Sequence, residues 1–377
     1  MSVSPEMNTP ERLIAAVTGK PLDRTPVSLH EIEGFGTRYS PDHPSYARIR
    51  SAVRERADNM VMETPSIPGP LGFLYTGGDE DSVRREERYE GPDKITVTTI
   101  FTALGPLRME TRMNADIYTI WTTEFLLKNE EDVDRLLSLP YVRLKPSMEK
   151  YDALRKEMGD RGVMLCDLVD PVVLISSFMP FEQYILLSVV NRKKYRALLD
   201  FFSERMHDFL DDVLEQGAGP LFRIVGPELC TPPYMRPEDF REFIVTYDKP
   251  FIEKIHRAGR YARIHCHGRI SRVADMILEM EPDALDPVEE PPGGDIMFDE
   301  AKRLLGKSIC LMGNIQESLF ELKKPEEVEA EVRRIMEIGA PGGRFVLMPT
   351  ATPITVPLPS QVEENLHAYL ETGLGYR

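Results

Sequence analysis

Two histidines and a cysteine occupy three consecutive positions of the sequence, as His265, Cys266 and His267, although the chain has only 7 histidines and 4 cysteines. The residues before them, 261–264, predict a short strand, and in a strand residues two apart point to the same side. We therefore expect His265 and His267 to face one way and Cys266 the other. Imidazole and thiolate are ligands for zinc and related metals. The cluster thus predicts a metal or catalytic site at a strand end.

Other polar residues come directly after other predicted strands. The residues that we single out in this way are Asp170 after 163–166, Glu228 after 221–225, Glu289 after 284–288 and Asn314 after 308–312. We predict catalytic roles for Glu228, His265 and Glu289. Substrate contacts are predicted for His267, Asn314 and Asp170. Each also has a structural alternative, which is a helix cap for Glu228, an ion pair for Glu289 and a turn for Asp170 and Asn314.

A pair of glutamates on the predicted helix 237–258 adds a further candidate. Glu238 and Glu242 are one helical turn apart and share a face. A solvated surface position explains Glu238. For Glu242 the choice between a site residue and a surface residue stays open.

The elements that would position these residues alternate. From residue 148 onward, predicted helices and short apolar strands follow one another, which is typical of a parallel sheet covered by helices. No GxGxxG follows the first strand and no GxxxxGK[ST] occurs. A (β/α)8 TIM barrel is therefore favoured over a nucleotide-binding doubly wound fold, and its active site would lie at the C-terminal strand ends.

The N-terminal part predicts an elaboration of that barrel. Helices are predicted over 10–16 and 46–59, and a hairpin over 95–101 and 107–111, which flank a Gly-Pro turn signal. We see no internal repeat and no linker, so we predict one domain over 1–377.

The composition limits the classes of partner. The formal net charge is -16 over 377 residues, which argues against nucleic acid or an anionic membrane as the main partner. No run of 18 apolar residues predicts a membrane span. The N-terminus lacks a signal-peptide pattern and the four cysteines are widely spaced, so we expect a reducing, cytoplasmic location. A small-molecule substrate and a protein partner fit this composition.

Several stretches resemble the uroporphyrinogen decarboxylase superfamily, which includes corrinoid-dependent methyltransferases. They are 8–12 with 23–27, Ile-His-Cys-His-Gly at 264–268, Glu-Glu-Pro-Pro-Gly-Gly-Asp at 289–295, and Leu-Met-Gly-Asn-Ile at 311–315. The resemblance covers nearly the whole chain. It implies a (β/α)8 barrel and a choice between a decarboxylase-like lyase and a methyltransferase; related barrels often pair, so a homodimer is also considered.

The decarboxylase signatures are missing. True decarboxylases carry Arg-Gln-Ala-Gly-Arg shortly after the first strand, where this chain has His-Glu-Ile-Glu-Gly-Phe at 30–35. They also carry a catalytic aspartate after the second strand, where this chain has Glu-Thr-Pro-Ser at 63–66. A lyase acting on a tetrapyrrole or another carboxylated substrate is therefore the alternative function. Its cationic groups could only be Arg38, Arg263 and Arg344.

The methyltransferase signatures are matched in part. Enzymes that act on coenzyme M bind zinc through His-x-Cys and a distant Cys, whereas here His267 takes the Cys position and the late position falls near Ala351. Methyltransferase I components of O-demethylases resemble this chain through Glu-x14-Glu-x20-His. Here Glu228, Glu242 and His265 have 13 and 22 residues between them. The resemblance implies a zinc ion held by Glu228, Glu242, His265 and His267.

Such a zinc ion would act as a Lewis acid on the ether oxygen of a methoxylated compound. The methyl group would pass to a reduced corrinoid. No Asp-x-His-x-x-Gly corrinoid signature occurs in the chain, so a separate carrier protein would supply this cofactor. The reverse direction, from methylcorrinoid to a thiol, is less favoured because the thiolate ligands are missing. A third hypothesis is a binding subunit that keeps the barrel but has no activity.

Overall fold

The structure is a computed structural model that describes residues 6–36, 41–114, 117 and 119–376. Its strands are β1 Asn59–Glu63, β2 Val83–Glu90, β3 Asp93–Thr102, β4 Gly105–Met113, β5 Ile120–Glu124, β6 Gly162–Val169, β7 Leu221–Val225, β8 Tyr261–His265, β9 Ala284–Asp286, β10 Cys310–Ile315 and β11 Phe345–Pro349. Its α-helices are α1 Thr9–Thr18, α2 Ala47–Arg56, α3 Glu130–Leu137, α4 Glu149–Met158, α5 Pro171–Phe178, α6 Phe181–Val190, α7 Arg192–Glu215, α8 Pro237–Phe240, α9 Thr246–Arg257, α10 Ala274–Glu279, α11 Phe298–Leu304, α12 Ser318–Leu322, α13 Pro325–Gly339 and α14 Ser360–Gly375.

Within these residues, seven strands form one parallel sheet in the order β1-β6-β7-β8-β9-β10-β11. Each strand of this sheet after the first pairs with the sheet strand that precedes it in the order of the chain, and the sheet curls in one direction. Alternate side chains on its concave side form a small apolar core, whose members include Met60, Leu165 and Met312. The other side packs against the helices in the main core. The predicted α/β class with a parallel, helix-covered sheet is confirmed.

Residues 26–28 lie between the two edge strands of this sheet. Val27 forms a parallel bridge with Leu347 of β11. Ser28 N–H donates to the Leu347 carbonyl at 2.9 Å, and Asp58 N–H donates to the Val27 carbonyl at 2.8 Å. The sequence Thr-Pro-Val-Ser-Leu at 25–29 looks like a strand, but only this bridge forms, because Pro26 has no N–H to donate. The described sheet therefore has seven strands and one bridging segment where eight strands were predicted.

Asp58 holds the bridging segment in place. Its Oδ1 accepts from Arg12 of α1 at 2.7 Å, and its Oδ2 accepts from Arg24 at 2.6 Å and from the Val27 N–H at 2.9 Å. The carboxylate is fully buried. This network joins the two N-terminal stretches that carry the family resemblance, 8–12 and 23–27.

We expect Asp58→Asn to lower the free energy of unfolding by about 3 kcal/mol or more, because breaking a buried ion pair leaves charge uncompensated. Denaturant unfolding would measure it. The control is Asp42→Asn, since Asp42 pairs with Arg50 at 3.5 Å while its side chain is largely exposed; exposed pairs contribute at most about 1 kcal/mol. Equal losses in the two variants would contradict the anchoring role.

The predicted hairpin is part of a larger element. The strands β2-β3-β4-β5 form an antiparallel sheet of four strands in the described chain, and the predicted hairpin corresponds to β3 and β4. The sheet is inserted after β1, so it begins at the C-terminal end of the parallel strands. Ile117 forms an isolated bridge with Thr355, which lies beyond the same end of β11. No helix in the described ranges combines the length and apolarity needed to cross a bilayer.

Candidate active site at the C-terminal strand ends

Three neighbouring strands bring the main candidate residues to the C-terminal end of the parallel sheet. Val225 of β7 is level with His265 of β8, which is level with Asp286 of β9. Glu228 and Glu289 each follow their strand by three residues. Because these strands are parallel and adjacent, Glu228, His265 and Glu289 lie at the same end of the sheet, as predicted.

His265 is oriented by a buried carboxylate. Its Nδ1 lies 2.7 Å from Oδ2 of Asp286, which also accepts from Nη2 of Arg263 at 2.5 Å. Because this contact uses Nδ1, the other ring nitrogen, Nε2, lies on the side of the ring away from Asp286. Burial, reinforced by the charge of Arg223, lowers the pKa of His265 to about 3. His265 therefore presents a neutral imidazole with Nε2 available, which is the form that binds a metal.

Asp286 and His30 were missed by the sequence analysis. Burial by itself raises the pKa of Asp286, but Arg263 and His265 outweigh this and hold its pKa well below the ordinary value. The His30 ring stacks on the His265 ring, with centroids 6.1 Å apart and planes 12° apart. The available signal was a pair of opposite charges, Arg263 and Asp286, inside neighbouring apolar strands.

His267 and Glu289 form a second pair above His265. His267 Nδ1 lies 3.2 Å from Glu289 Oε2, which also accepts from the Gly268 N–H at 2.7 Å. The rings of His265 and His267 are 4.7 Å apart and nearly perpendicular, while Cys266 is buried in the main core. As predicted, His265 and His267 lie on one face of the strand and Cys266 lies on the other.

Glu228, His267 and Glu289 line one cavity of about 500 Å³. Its other walls are largely apolar and include Leu229, Pro232, Pro233, Tyr234 and Pro292. Burial raises the pKa of Glu228, an effect that the nearby His267 only partly offsets. The cavity therefore combines an apolar wall with a carboxyl group that retains its proton to higher pH than usual.

The His267–Glu289 pair predicts a pH dependence. Burial lowers the pKa of His267, but the hydrogen bond and charge of Glu289 outweigh it, so that the pKa is raised overall. Because a metal competes with the proton for the imidazole, metal binding through His267 should strengthen as pH rises through this raised value. We expect Glu289→Gln to move the midpoint of zinc binding to lower pH, measured by zinc titration between pH 5 and pH 9. An unchanged or higher midpoint would contradict this account.

Glu242 is not brought to the cavity, and its predicted role as a zinc ligand is corrected here. Its Oε1 accepts from Arg196 at 2.6 Å, and its Oε2 accepts from Arg192. Both arginines belong to α7, and the π-helical segment Arg241–Val245 presents Glu242 to that helix. Among the residues that the structure describes, no group of three or more His, Cys, Asp or Glu side chains is arranged to hold a metal ion. The predicted four-residue set is therefore not formed.

Asp170 is a structural residue in this fold, and the predicted substrate contact is corrected. Its Oδ1 accepts from the Val173 N–H at 2.7 Å and caps α5. The side chain is fully buried against the backbone of Gly226. Burial and the nearby Asp248 hold the pKa of Asp170 well above its ordinary value. Oδ1 of Asp170 thus has a structural role as a helix cap, which differs from the turn considered as the alternative in the sequence.

Asn314 is buried at the end of β10. It lies two residues after Met312 and four after Cys310, so its side chain is on the same side of the strand as theirs, which is the concave side of the parallel sheet. Neither Nδ2 nor Oδ1 of Asn314 has a hydrogen-bond partner within the described ranges. The predicted substrate contact of Asn314 stays a prediction, for which these atoms are available.

None of the three arginines considered for a decarboxylase is a free cation at this end in the described structure, although Arg269, which is exposed, lines the cavity. Arg263 is paired with Asp286. Arg344 precedes β11 at the opposite end of the sheet, where it donates to the carbonyls of Val17 and Ser308. Arg38 lies outside the described residues.

Comparisons with known proteins give a family match and related proteins of two kinds. The sequence model of the family "Uroporphyrinogen decarboxylase (URO-D)" matches residues 91–372. A uroporphyrinogen decarboxylase from Geobacter metallireducens is 24% identical over 370 residues, which cover 91% of this chain and 94% of that protein. The methylcobamide:CoM methyltransferase MtaA from Methanosarcina barkeri is 22% identical over 208 residues, 55% of this chain, and the match spans only 58% of its length.

A solved structure described as a methyltransferase from Methanosarcina mazei has a similar fold. It superposes with a TM-score of 0.61 at 17% identity, and the match covers 97% of this chain and 99% of that one. At this identity the likeness supports the fold and not the activity.

Proposed function

Because the chain belongs to the uroporphyrinogen decarboxylase family, we propose that it is a corrinoid-linked methyltransferase of that family. The reaction moves a methyl group from a methoxylated small molecule to a corrinoid on a separate carrier protein. The observation that carries the proposal is the cavity lined by Glu228, His267 and Glu289, directly above the neutral imidazole of His265. The methyltransferase relative supports the corrinoid link.

We further propose that Glu228, His265 and His267 hold a zinc ion. The donor chemistry fits, because Nδ1 of each histidine faces a carboxylate, the outer-shell arrangement usual for zinc-binding imidazoles. The three side chains are not at ligating geometry in the described structure, so metal binding requires them to converge. Bound zinc would supply Lewis-acid activation of the ether oxygen.

The protein's own residues would hold and shield the substrate. The apolar wall of Leu229, Pro232 and Pro292 would bind the body of the ether and exclude water. Glu289 would orient His267, and Asp286 would orient His265. The methyl group would leave the ether oxygen, which would keep the electron pair of the broken C–O bond and take up a proton from water. The corrinoid is a substrate on the carrier protein, and its Co(I) would supply the electron pair of the new bond to the methyl group.

The carrier protein would approach along an exposed apolar surface beside the cavity. Tyr234 lines this cavity and a neighbouring groove of about 650 Å³. Leu186 and Val189 of α6 are about 60% exposed (59% and 62%), and Val190 is 70% exposed. Exposed apolar patches of this kind commonly mark protein interaction sites. Continuity with the cavity favours the corrinoid carrier as the partner.

We also infer that the parallel sheet closes as an eight-stranded barrel with 26–28 as its first strand, and that the chain forms one domain. The hydrogen bonds of Val27 and Ser28 to both edge strands support closure.

A decarboxylase-like lyase is the second candidate, favoured by the long match to the Geobacter protein. One anaerobic experiment separates the two. The purified chain with one equivalent of zinc is mixed with cob(I)alamin and a panel of methoxybenzenes, and methylcobalamin formation is followed by absorbance. We expect formation that stops when zinc is removed by a chelator. Activity that persists without metal would overturn the zinc role. Carbon dioxide release from a porphyrinogen without any methyl transfer would favour the lyase.

A further inference from the structure

Three side chains at or just beyond the C-terminal ends of β10 and β11 contain hydrogen-bonding atoms that have no partner among the described residues. Asn314 is 2% exposed, and both its amide nitrogen and its amide oxygen lack partners among the described residues. The same is true of Oγ1 of Thr352, which is 8% exposed, and of Nε2 of Gln316. Leaving a buried polar group without a partner costs about 1–3 kcal/mol, so a cluster of four such atoms calls for an explanation.

The sheet register places this cluster beside the proposed reaction centre. His265 is level with Asp286, and Leu285 is level with Leu311. If this register is continued by two residues, His267 and Asn314 lie at the same level. They belong to strands that are two positions apart in the sheet, so their backbones are about 10 Å from each other. A Cβ built on Gly293, which lines the cavity, would lie 3.8 Å from Oε1 of Gln316. A substrate of ordinary size spans this distance.

Thr352 belongs to the same end of the sheet. Asn314 pairs with Met348 in the ladder between β10 and β11, and the Thr350 N–H donates to the Ile315 carbonyl at 2.8 Å. Thr352 follows two residues later. The three side chains without partners therefore come from two neighbouring strand ends.

The charges around the cluster decide what kind of group it can bind. The two buried arginines of β7 and β8 are engaged, Arg263 with Asp286 and Arg223 with Asp167 and Glu31. Arg269 also lines the cavity but is exposed, so a carboxylate or phosphate held by the buried cluster would meet no unengaged cation among the buried residues that the structure describes. The four atoms instead comprise two donors, one acceptor and one hydroxyl that can be either. This set matches an uncharged group that both donates and accepts hydrogen bonds.

We infer that Asn314, Gln316 and Thr352 form a subsite for a neutral, amphiprotic group of the substrate, either a hydroxyl or a carboxamide, at the end away from the transferred methyl group. This inference rests on the proposed function for the identity of the reaction. It adds the chemical class of the substrate and two residues, Gln316 and Thr352, that determine specificity.

The test uses four methoxybenzenes that carry a hydroxyl, a carboxamide, a carboxylate or hydrogen at the para position. Binding to the full chain is measured by calorimetry, and methyl transfer to cob(I)alamin by absorbance. We expect the hydroxyl or the carboxamide compound to be preferred over the hydrogen compound by about tenfold or more, since a site built to hydrogen-bond a substrate group rejects an analogue that lacks it. Asn314→Leu and Thr352→Val should each reduce that preference about tenfold, while Thr122→Val in β5 should not change it.

Stability gives a second readout. Asn365 is also buried, but its Nδ2 donates to the carbonyls of Phe320 and Lys323 at 2.8 and 2.7 Å. Asn365→Leu should therefore lower the melting temperature, whereas Asn314→Leu should leave it unchanged or raise it, because no hydrogen bond is lost. Preference for the carboxylate, or a preference that survives both variants, would overturn the inference. If binding follows the expected order but no compound transfers its methyl group, the subsite stands and the proposed function fails.

Discussion

Replacing Glu228 by Gln is expected to lower kcat for methyl transfer by about 10³-fold, the largest effect that the site predicts. An amide is a weaker zinc ligand than a carboxylate, and Lewis-acid stabilisation of the leaving oxygen contributes several kcal/mol to catalysis, which corresponds to about three factors of ten in rate. Zinc content by atomic absorption and single-turnover formation of methylcobalamin would measure both consequences. The folded state should persist, since the hydrogen bonds found for the Glu228 carboxyl in the described structure are local ones from backbone N–H groups, among them that of Gly226 at 3.3 Å.

Glu242→Gln is the matched control for this variant. Both glutamates were predicted as ligands, but the carboxylate of Glu242 contacts Arg192 and Arg196 of α7. Zinc content and kcat should therefore stay at the parent level. Loss of zinc from Glu242→Gln comparable to that from Glu228→Gln would restore the four-ligand hypothesis and contradict the position of Glu242 in the structure.

The second large effect is expected from Asp286→Asn. Asp286 is fully buried and compensates Arg263 while it orients His265. Removal of its charge should lower the free energy of unfolding by about 3–5 kcal/mol. In the fraction that folds, zinc affinity should fall about 10- to 100-fold, because carboxylate partners of this kind hold metal-binding imidazoles in orientation. Urea unfolding and competition with a zinc chelator would measure the two effects.

The variant Asp58→Asn is the control that separates the loss of stability from the loss of zinc affinity. Asp58 also compensates buried arginine, Arg12, but does so at the other end of the strands. Both variants should lose stability, and only Asp286→Asn should lose zinc affinity. If the two variants keep equal zinc affinity per folded molecule, then Asp286 has no orienting role.

The contribution of Asp286 to the free energy of unfolding should depend on pH in a defined direction. Its pKa is lowered in the folded state, so its contribution to stability is present above the unfolded value of about 3.9 and is lost as pH falls below that value. The parent protein should therefore lose stability more steeply than Asp286→Asn on acidification below about pH 4. Parallel curves would show that the charge of Asp286 does not stabilise the fold.

Much of the site could be predicted from local patterns. The positions of His265 and His267 on one face follow from the two-residue repeat of a strand, and the grouping of Glu228 with Glu289 follows from the parallel direction of β7 and β9. These inferences needed only the order of residues and the geometry of regular strands and helices.

Glu242 shows where such reasoning fails. Its spacing from Glu228 and His265 was near that of a zinc pattern, but spacing along a helix does not determine which neighbour the helix faces. The arginine partner Arg192 is 50 residues away in the sequence. Asp170 failed for a related reason, because a residue after a strand can cap the next helix instead of facing the cavity.

The sequence by itself determined the α/β class, the end of the sheet where the candidate site residues lie, and the imidazole and carboxylate groups available there, because strand parity and strand direction are local properties. Only the tertiary structure decided which carboxylate contacts which histidine, that Glu242 faces α7, and that the amide of Asn314 has no partner among the described residues. Those outcomes depend on contacts between segments far apart in the chain, such as Arg263 with Asp286 and Val27 with Leu347. Packing of the helices around the sheet determines such contacts, and no local pattern encodes them.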